Sequence, residues 1–217
     1  MQVKICGTTS VADARLALDA GADWIGVIVG HPPSPRNVSP DLARAIREVA
    51  PDKTVLLCVN LGEAELSQLL QTVEPAVLQL HGDESPELVA SLAERSVRVW
   101  KAIHGDENQL LSQARAFTEA GAESVLLDAR EASANGTTYG GTGRVADWNA
   151  ARALVQEGFR VILAGGLTPE NVARSVSFVA PSGVDCVSGV EESKGVKDGE
   201  KVRAFVSAAR AEAIVSD

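Results

Sequence analysis

The chain has 217 residues, of which 45% are hydrophobic and 23% charged, and its formal net charge at pH 7 is −9. This composition is typical of a globular protein and excludes a disordered chain, a collagen and a polar low-complexity tail. The net negative charge argues against nucleic acid as a partner, because the protein would repel phosphate backbones. No apolar run approaches the roughly 18 residues that a membrane-spanning helix needs, so we expect no membrane contact. Since single barrels often reach roughly 200–250 residues, we expect one domain over residues 1–217.

The three cysteines, Cys6, Cys58 and Cys186, are few and widely separated, and none belongs to a CxxC pair. This pattern predicts neither a disulfide framework nor a zinc site, and we expect no metal. The N-terminus lacks the charged and apolar regions of a signal peptide. A cytoplasmic protein in a reducing compartment is therefore the expectation.

Short β-branched runs alternate with longer segments of helical periodicity, and the pair recurs about every 25 residues. The predicted strands, in chain order, are 3–6, 24–29, 54–59, 76–80, 97–103, 124–128, 160–164 and 184–187. The predicted helices follow them at 10–20, 41–50, 63–71, 86–94, 107–120, 148–157, 169–178 and 199–211. Strands that alternate with helices indicate a parallel sheet, and eight units favour a closed (β/α)8 TIM barrel. A doubly wound open sheet is the alternative.

Capping residues support the predicted helix starts. Ser39, Ser85 and Thr168 each precede a proline, which places an N-cap residue before the first helical position. Proline is well tolerated there because its missing N–H would have no helical partner. Ser10 with Asp13 has the spacing of a capping box at the first helix.

Two side chains at predicted strand ends could carry acid–base chemistry, since a barrel places its active site at the carboxyl ends of its strands. Cys6 ends the first strand and could act as a nucleophile or general base, or could be a buried small hydrophobe. Asp128 ends the sixth strand and could act as an acid if its pKa is raised, or could cap a backbone amide. Cys58 and Cys186 lie within apolar runs, and we interpret both as structural.

Small-residue pairs follow the seventh and eighth strands: Gly165-Gly166 and Ser188-Gly189. Barrels often bind phosphate with the loops after these two strands, where glycine lets backbone amides approach an anion. Both pairs could instead be ordinary turns. Their positions favour a phosphate site.

The long segment after the sixth strand contains Tyr139-Gly140-Gly141-Thr142-Gly143. It has neither the Walker lysine nor the turn of a dinucleotide fingerprint. Long loops within compact domains are usually functional, so we predict a loop that covers the substrate; a flexible insertion is the alternative.

Two cationic side chains are candidates for binding an anion. Arg36 lies in a loop stiffened by prolines, which suits bidentate recognition of a carboxylate or phosphate, although it could be a surface arginine. Lys4 points the same way as Cys6 on the first strand, hence into the barrel. A buried lysine needs an anionic partner or ligand.

Gln79 and His81 come at the end of the fourth strand and are candidate ligand contacts. His81 could equally be a structural histidine with its hydrogen bonds satisfied. We expect His31 and His104 to be exposed.

Several short motifs are together similar to one family. They are KICG at 4–7, SPRNV at 34–38, LQLHG at 78–82, LLD at 126–128, YGGTG at 139–143 with DW at 147–148, AGGL at 164–167 with PENV at 169–172, and SGVE at 188–191 with GVKD at 195–198. Each motif is weak alone, but their order and spacing resemble phosphoribosylanthranilate isomerase of tryptophan biosynthesis. The resemblance covers nearly the whole chain.

This resemblance implies a TIM barrel, a phosphosugar substrate, no cofactor and a protein that is a monomer. It implies an Amadori rearrangement of N-(5-phosphoribosyl)anthranilate, with Asp128 as the general acid that opens the furanose ring. Cys6 would be the general base that removes the proton from C2 of the sugar. Arg36 would pair with the anthranilate carboxylate, and Gly141 would lie in the loop that closes over the substrate. The phosphate would be held by the backbone amides of Gly165, Gly166, Ser188 and Gly189.

Departures from the usual family pattern occur at Thr8-Thr9, Ala146 and Cys186-Val187. They leave open a non-catalytic paralogue that only binds a phosphosugar, although such a protein would not need both Cys6 and Asp128. A related histidine-pathway sugar isomerase is a second alternative. That chemistry normally uses two aspartates, and its substrate carries a second phosphate for which the sequence offers no clear site.

Overall fold

The computed structural model describes residues 1–128, 131–133, 136–138 and 147–213. The barrel strands are β1 Gln2–Ile5, β2 Trp24–Val29, β3 Thr54–Cys58, β4 Val77–Leu80, β5 Val99–Ile103, β6 Ser124–Leu127, β7 Val161–Leu163 and β8 Gly183–Cys186. The helices are α1 Val11–Asp19, α2 Pro40–Val49, α3 Glu63–Val73, α4 Pro86–Glu94, α5 Glu107–Glu119, α6 Trp148–Gln156, α7 Val172–Val179 and α8 Gly199–Ala213. All eight predicted strand–helix units are present, with boundaries shifted by at most a few residues.

The sheet closes on itself. Each strand pairs in parallel with the next, and β1 pairs with both β2 and β8, so that Lys4 lies opposite Trp24 on one side and Asp185 on the other. The predicted (β/α)8 barrel is therefore confirmed, and the open sheet, which would leave β1 or β8 unpaired at an edge, is wrong. Short strands outside the barrel add Asn37–Val38 beside β2, a hairpin of Glu191–Ser193 with Val196–Lys197, and a hairpin of Glu131–Ser133 with Gly136–Thr138.

The lower half of the barrel interior is filled by large apolar side chains. Trp24 and Trp100 meet edge to face, with ring centroids 5.2 Å apart, and both are buried. The cluster around them includes Val55, Leu126 and Ile162, which come from β3, β6 and β7. This plug closes the amino-terminal half of the barrel, so a cavity can form only at the carboxyl ends of the strands.

Serine caps begin three helices as predicted. The Ser10 hydroxyl accepts from the amide of Asp13, the Ser39 hydroxyl from that of Leu42, and the Ser85 hydroxyl from that of Leu88. The predicted start of the seventh helix at residue 169 is wrong, because α7 begins at Val172. The Asn171 side chain holds the preceding turn, accepting from the Thr168 amide and donating to the Gly166 carbonyl. Within the described part of the chain, no helix has both the length and the apolar character to cross a bilayer.

Candidate active site

A pocket of about 520 Å³ opens at the carboxyl ends of the strands. Its lining includes Cys6, Ile28, His31, Arg36, Leu57, Val59, His81, Asp128, Gly165, Gly166, Asp185, Ser188 and Lys194. Apolar side chains and a few polar groups of both charges therefore share one concave surface, which is the usual composition of a small-molecule site.

Cys6 follows β1 and is 1% exposed, beside the apolar side chains of Ile28, Leu57 and Val59. The close approach of β2 requires Gly26, because a Cβ there would lie 2.5 Å from the Cys6 Sγ. Burial raises the pKa of the Cys6 thiol, and the positive charge of Lys4 opposes this by favouring the thiolate. The charge of Asp185 pushes the pKa upward again.

Lys4 and Asp185 form an ion pair beneath Cys6. The Lys4 Nζ lies 2.9 Å from the Asp185 Oδ2, and the two side chains are 1% and 5% exposed. Burial disfavours the ammonium, but Asp185 and Cys6 more than compensate and raise the pKa of Lys4. The predicted anionic partner of Lys4 is thus a carboxylate of the protein, and Lys4 provides a fixed positive charge next to the thiol.

Asp128 follows β6 and lies beside His81, whose Nε2 is 3.2 Å from the Asp128 Oδ2. The other ring nitrogen of His81, Nδ1, is 2.8 Å from the Gln79 Nε2. If the Gln79 amide donates to Nδ1, the proton of the neutral ring is on Nε2 and is directed at Asp128. A buried chain of three side chains therefore fixes the orientation of the Asp128 carboxyl group.

Arg36 is held by Glu191 in a bidentate ion pair. The Arg36 Nε and Nη2 each lie 2.7 Å from a different oxygen of Glu191. The Lys197 Nζ donates to the same carboxylate at 3.1 Å and to the Cys6 carbonyl at 2.7 Å. Burial disfavours the charge of Glu191, but hydrogen bonds from Arg36 and the charge of Lys197 outweigh it and lower the pKa of Glu191. A bidentate pair leaves further N–H groups of the guanidinium to contact a ligand.

Of the two small-residue pairs, Gly165, Gly166 and Ser188 line the pocket. Gly165 and Gly166 have positive φ values of 82° and 63°, a conformation that glycine adopts without strain. Ser188 begins a short 3₁₀ helix, Ser188–Val190, at the end of β8. Gly189 is not among the lining residues, and a Cβ there would collide with the Leu167 carbonyl oxygen. Glycine lets backbone amides approach an anion closely, so this part of the pocket lining suits one.

The structure brings most of the predicted site residues together. Cys6, Arg36, His81, Asp128, Gly165, Gly166 and Ser188 line the pocket. Lys4 and Gln79 are fully buried and reach the pocket through Asp185 and His81. Gly141 and the rest of 139–143 lie outside the described residues. Among the described residues, no three His, Cys, Asp or Glu side chains are arranged to hold a metal ion.

Sequence reasoning missed several functional candidates. His31 and His104 are half-buried rather than exposed, and His31 lines the pocket with Lys194. Burial lowers the pKa of His31. Asp185 could have been found as a carboxylate within an otherwise apolar strand.

Comparisons with known proteins find relatives over nearly the whole length of the chain. Residues 3–208 match the family model described as N-(5'phosphoribosyl)anthranilate (PRA) isomerase. The N-(5'-phosphoribosyl)anthranilate isomerase of Nitrosococcus oceani is 42% identical over 207 residues, which cover 94% of this chain and 95% of that protein.

Two solved structures extend the comparison. Monomers made from the dimeric phosphoribosylanthranilate isomerase of Thermotoga maritima match with a TM-score of 0.83 and 33% identity, over 97% of this chain and 99% of that one. A phosphoribosyl anthranilate isomerase in complex with reduced 1-(o-carboxyphenylamino)-1-deoxyribulose 5-phosphate matches with a TM-score of 0.80 and 32% identity, over the same shares of the two chains. The chain belongs to the N-(5'-phosphoribosyl)anthranilate isomerase family.

Proposed function

We propose that Cys6 and Asp128 are the acid–base pair of the isomerisation that this chain catalyses in tryptophan biosynthesis. The reaction is the Amadori rearrangement of N-(5-phosphoribosyl)anthranilate to 1-(2-carboxyphenylamino)-1-deoxyribulose 5-phosphate. The observation that carries the proposal is that a thiol and a carboxyl group, from the ends of β1 and β6, line one pocket together with an arginine and a pair of glycines. A site for proton transfer needs two such groups within reach of one substrate.

The first step opens the sugar ring. Asp128, starting as the acid, donates its proton to the ring oxygen, and the bond between C1 and that oxygen breaks with its electron pair going to oxygen. The anilino nitrogen supplies a pair to C1, which gives a protonated Schiff base. His81 supports this step by holding the Asp128 carboxyl in place at 3.2 Å.

The second step moves the double bond. The Cys6 thiolate takes the proton from C2, and the electrons flow through C1 to the nitrogen to give an enolamine. This enolamine becomes the ketone when its hydroxyl loses a proton and C1 gains one. The Lys4 charge supports the role of Cys6 because it favours the thiolate. The sequence of steps is redox-neutral within one molecule, so we propose that no cofactor takes part.

Charge complementarity orients the substrate, which carries a carboxylate at one end and a phosphate at the other. Arg36 would bind the anthranilate carboxylate through the N–H groups that Glu191 does not use. The apolar side chains of Ile28, Leu57 and Val59 offer a surface for the aromatic ring. The backbone amides of Gly165, Gly166, Ser188 and Gly189 would bind the phosphate, and Gly141 would lie in the covering loop.

We propose that the chain works as a monomer, in one domain over residues 1–217, and in the cytoplasm. Three free, buried cysteines fit a reducing compartment. A related isomerase is a dimer, so the mass in solution, measured by light scattering after gel filtration, is the test. A dimeric mass would contradict the monomer without affecting the acid–base assignment.

The test of the acid is Asp128→Asn, which keeps the shape of the side chain but carries no acidic proton to transfer. We expect turnover, followed through the fluorescence of the anthranilate group, to fall by roughly 10²- to 10⁴-fold. The Kd of the reduced product analogue should change little. Asp41→Asn, on the exposed surface of α2, is the matched control and should retain activity. Full activity of Asp128→Asn would refute the assignment, and saturable binding without turnover by the wild type would indicate a binding paralogue.

A further inference from the structure

One oxygen of Asp185 has no hydrogen-bond partner among the described residues. The side chain is buried and lines the pocket, and its Oδ2 accepts from the Lys4 Nζ at 2.9 Å. Its Oδ1 is buried without a partner. Leaving a buried acceptor unpaired is costly, so such an atom in a pocket points to a group that binds there.

Two other buried carboxylates, Glu84 and Glu191, differ from Asp185. Glu84 uses both oxygens, accepting from the Asn60 amide, the Gly82 amide and the Lys101 ammonium. Glu191 also uses both oxygens in its pair with Arg36. These carboxylates are therefore satisfied by the protein itself, whereas Asp185, which lines the pocket, retains one buried acceptor without a partner among the described residues.

The chemistry of the substrate restricts what can fill this position. An ionised carboxylate only accepts hydrogen bonds, so the partner must be a donor. The carboxylate and phosphate of the substrate are excluded, because two anions would repel each other in a buried site. The remaining donors are the sugar hydroxyls and the anilino N–H.

The neighbours of Asp185 select one of these donors. Lys4 pairs with Asp185 and lies next to Cys6, and the charge of Asp185 influences the Cys6 thiol. Cys6 is the group proposed to act at C2, and C2 carries a hydroxyl. We infer that the Asp185 Oδ1 accepts a hydrogen bond from the hydroxyl on C2 of the sugar and so fixes C2 in front of the thiol; this inference rests on the proposed function.

Such a bond would assist the reaction as well as binding. The hydroxyl on C2 becomes a more acidic enol when the proton leaves C2, so its hydrogen bond to a carboxylate strengthens as the enolamine forms. The ketone product has no proton on this oxygen, and the bond is lost. Asp185 thus favours the intermediate over both the bound substrate and the product.

The test compares two ligands by titration calorimetry. One is the reduced product analogue, which has a hydroxyl on C2, and the other is its 2-deoxy counterpart. We expect the wild type to bind the first roughly 10- to 100-fold more tightly. In Asp185→Asn this preference should fall to within about threefold, because the amide is uncharged and a much weaker acceptor.

Two further variants complete the test. Asp23→Asn is the matched control: Asp23 accepts from the Val3 amide at the opposite end of β1 and does not line the pocket, so the preference should be unchanged. Lys4→Met with Asp185→Leu removes the whole buried pair and should also abolish the preference. An unchanged preference in Asp185→Asn, or an equal loss of affinity for both ligands, overturns the inference while leaving the proposed function intact. Failure of the wild type to bind either ligand overturns both.

Discussion

Arg36 and Glu191 are 155 positions apart in the chain, yet both hydrogen bonds between them measure 2.7 Å. Glu191 also receives Lys197, which in turn donates to the carbonyl of Cys6. The hairpin after β8 therefore connects Arg36, which is proposed to bind the substrate carboxylate, with the backbone of Cys6, the proposed base. Arg36 passes directly over Gly7, where a Cβ would lie 2.6 Å from its Cδ, so the two parts of the site are also in contact.

Glu191→Gln should weaken substrate binding more than it slows the chemistry. A glutamine side chain is uncharged and has one acceptor oxygen, so it cannot hold both Arg36 and Lys197 as the carboxylate does. The guanidinium therefore loses its fixed orientation. We expect KM to rise roughly 10-fold or more with a smaller change in kcat, measured by steady-state kinetics. Glu192→Gln, an exposed position on the same hairpin, is the control and should behave as the wild type. A fall in kcat with unchanged KM would contradict this role.

Lys4→Gln should change the pH dependence of catalysis. The proposed base, Cys6, could take a proton only when it is deprotonated, and burial raises the pKa of its thiol. We therefore expect kcat/KM to increase with pH through the neutral and mildly alkaline range. Lys4 opposes the effect of burial; removing its charge raises the thiol pKa further and moves the rise in kcat/KM to higher pH. Near pH 7 we expect a loss of roughly tenfold or more.

Glutamine can still donate to Asp185, which limits the structural damage of Lys4→Gln. Lys53→Gln, at an exposed position near the amino end of β3, is the matched control and should leave the pH profile unchanged. Alkylation of Cys6 by iodoacetamide gives an independent measure of the thiolate. A profile that does not move, or that moves toward lower pH, would refute the role of Lys4.

The sequence was sufficient to predict the barrel, because a period of two in the strands and of 3.6 in the helices is a local property. It also placed Cys6 and Asp128, the proposed base and acid, at strand ends, since the end of a barrel strand can be recognised from the chain alone. The pairing of Lys4 with Asp185 was not predictable, because it depends on the register between β1 and β8, which are 181 positions apart at this contact. The pairing of Glu191 with Arg36 was not predictable for the same reason, although the motif that contains Glu191 was recognised.

His81→Ala should slow the chemistry without weakening binding. The His81 ring links Gln79 to Asp128, with contacts of 2.8 and 3.2 Å on its two nitrogens. Without the ring, the Asp128 carboxyl loses its fixed orientation, and misplacement of an acid by about 1 Å can cost roughly 10²-fold in rate. We expect kcat to fall by roughly 10- to 100-fold, and the Kd of the reduced product analogue to change by less than about threefold.

His81→Gln offers the conservative comparison, since its amide can still donate a hydrogen bond to Asp128. It should recover part of the activity lost in His81→Ala. If the two variants lose activity equally and both bind the analogue poorly, His81 is a substrate ligand rather than a positioning residue.

Gly26→Ala tests how closely β2 approaches the thiol. The new Cβ would lie 2.5 Å from the Cys6 Sγ and 3.0 Å from the Cys6 Cα, so the thiol must move. Overpacking of this kind typically costs about 1–3 kcal/mol in the free energy of unfolding, and here it also displaces the proposed base. We expect kcat to fall by roughly 10²-fold in a protein that remains folded.

Gly183→Ala is the matched strand control. The nearest atoms to its new Cβ would all belong to Gln2, at the amino end of β1, with the Gln2 carbonyl oxygen 3.1 Å away. We expect Gly183→Ala to lose some stability, measured by urea unfolding, but to keep its kcat. Equal losses of kcat in both variants would show that the effect of Gly26→Ala does not act through Cys6.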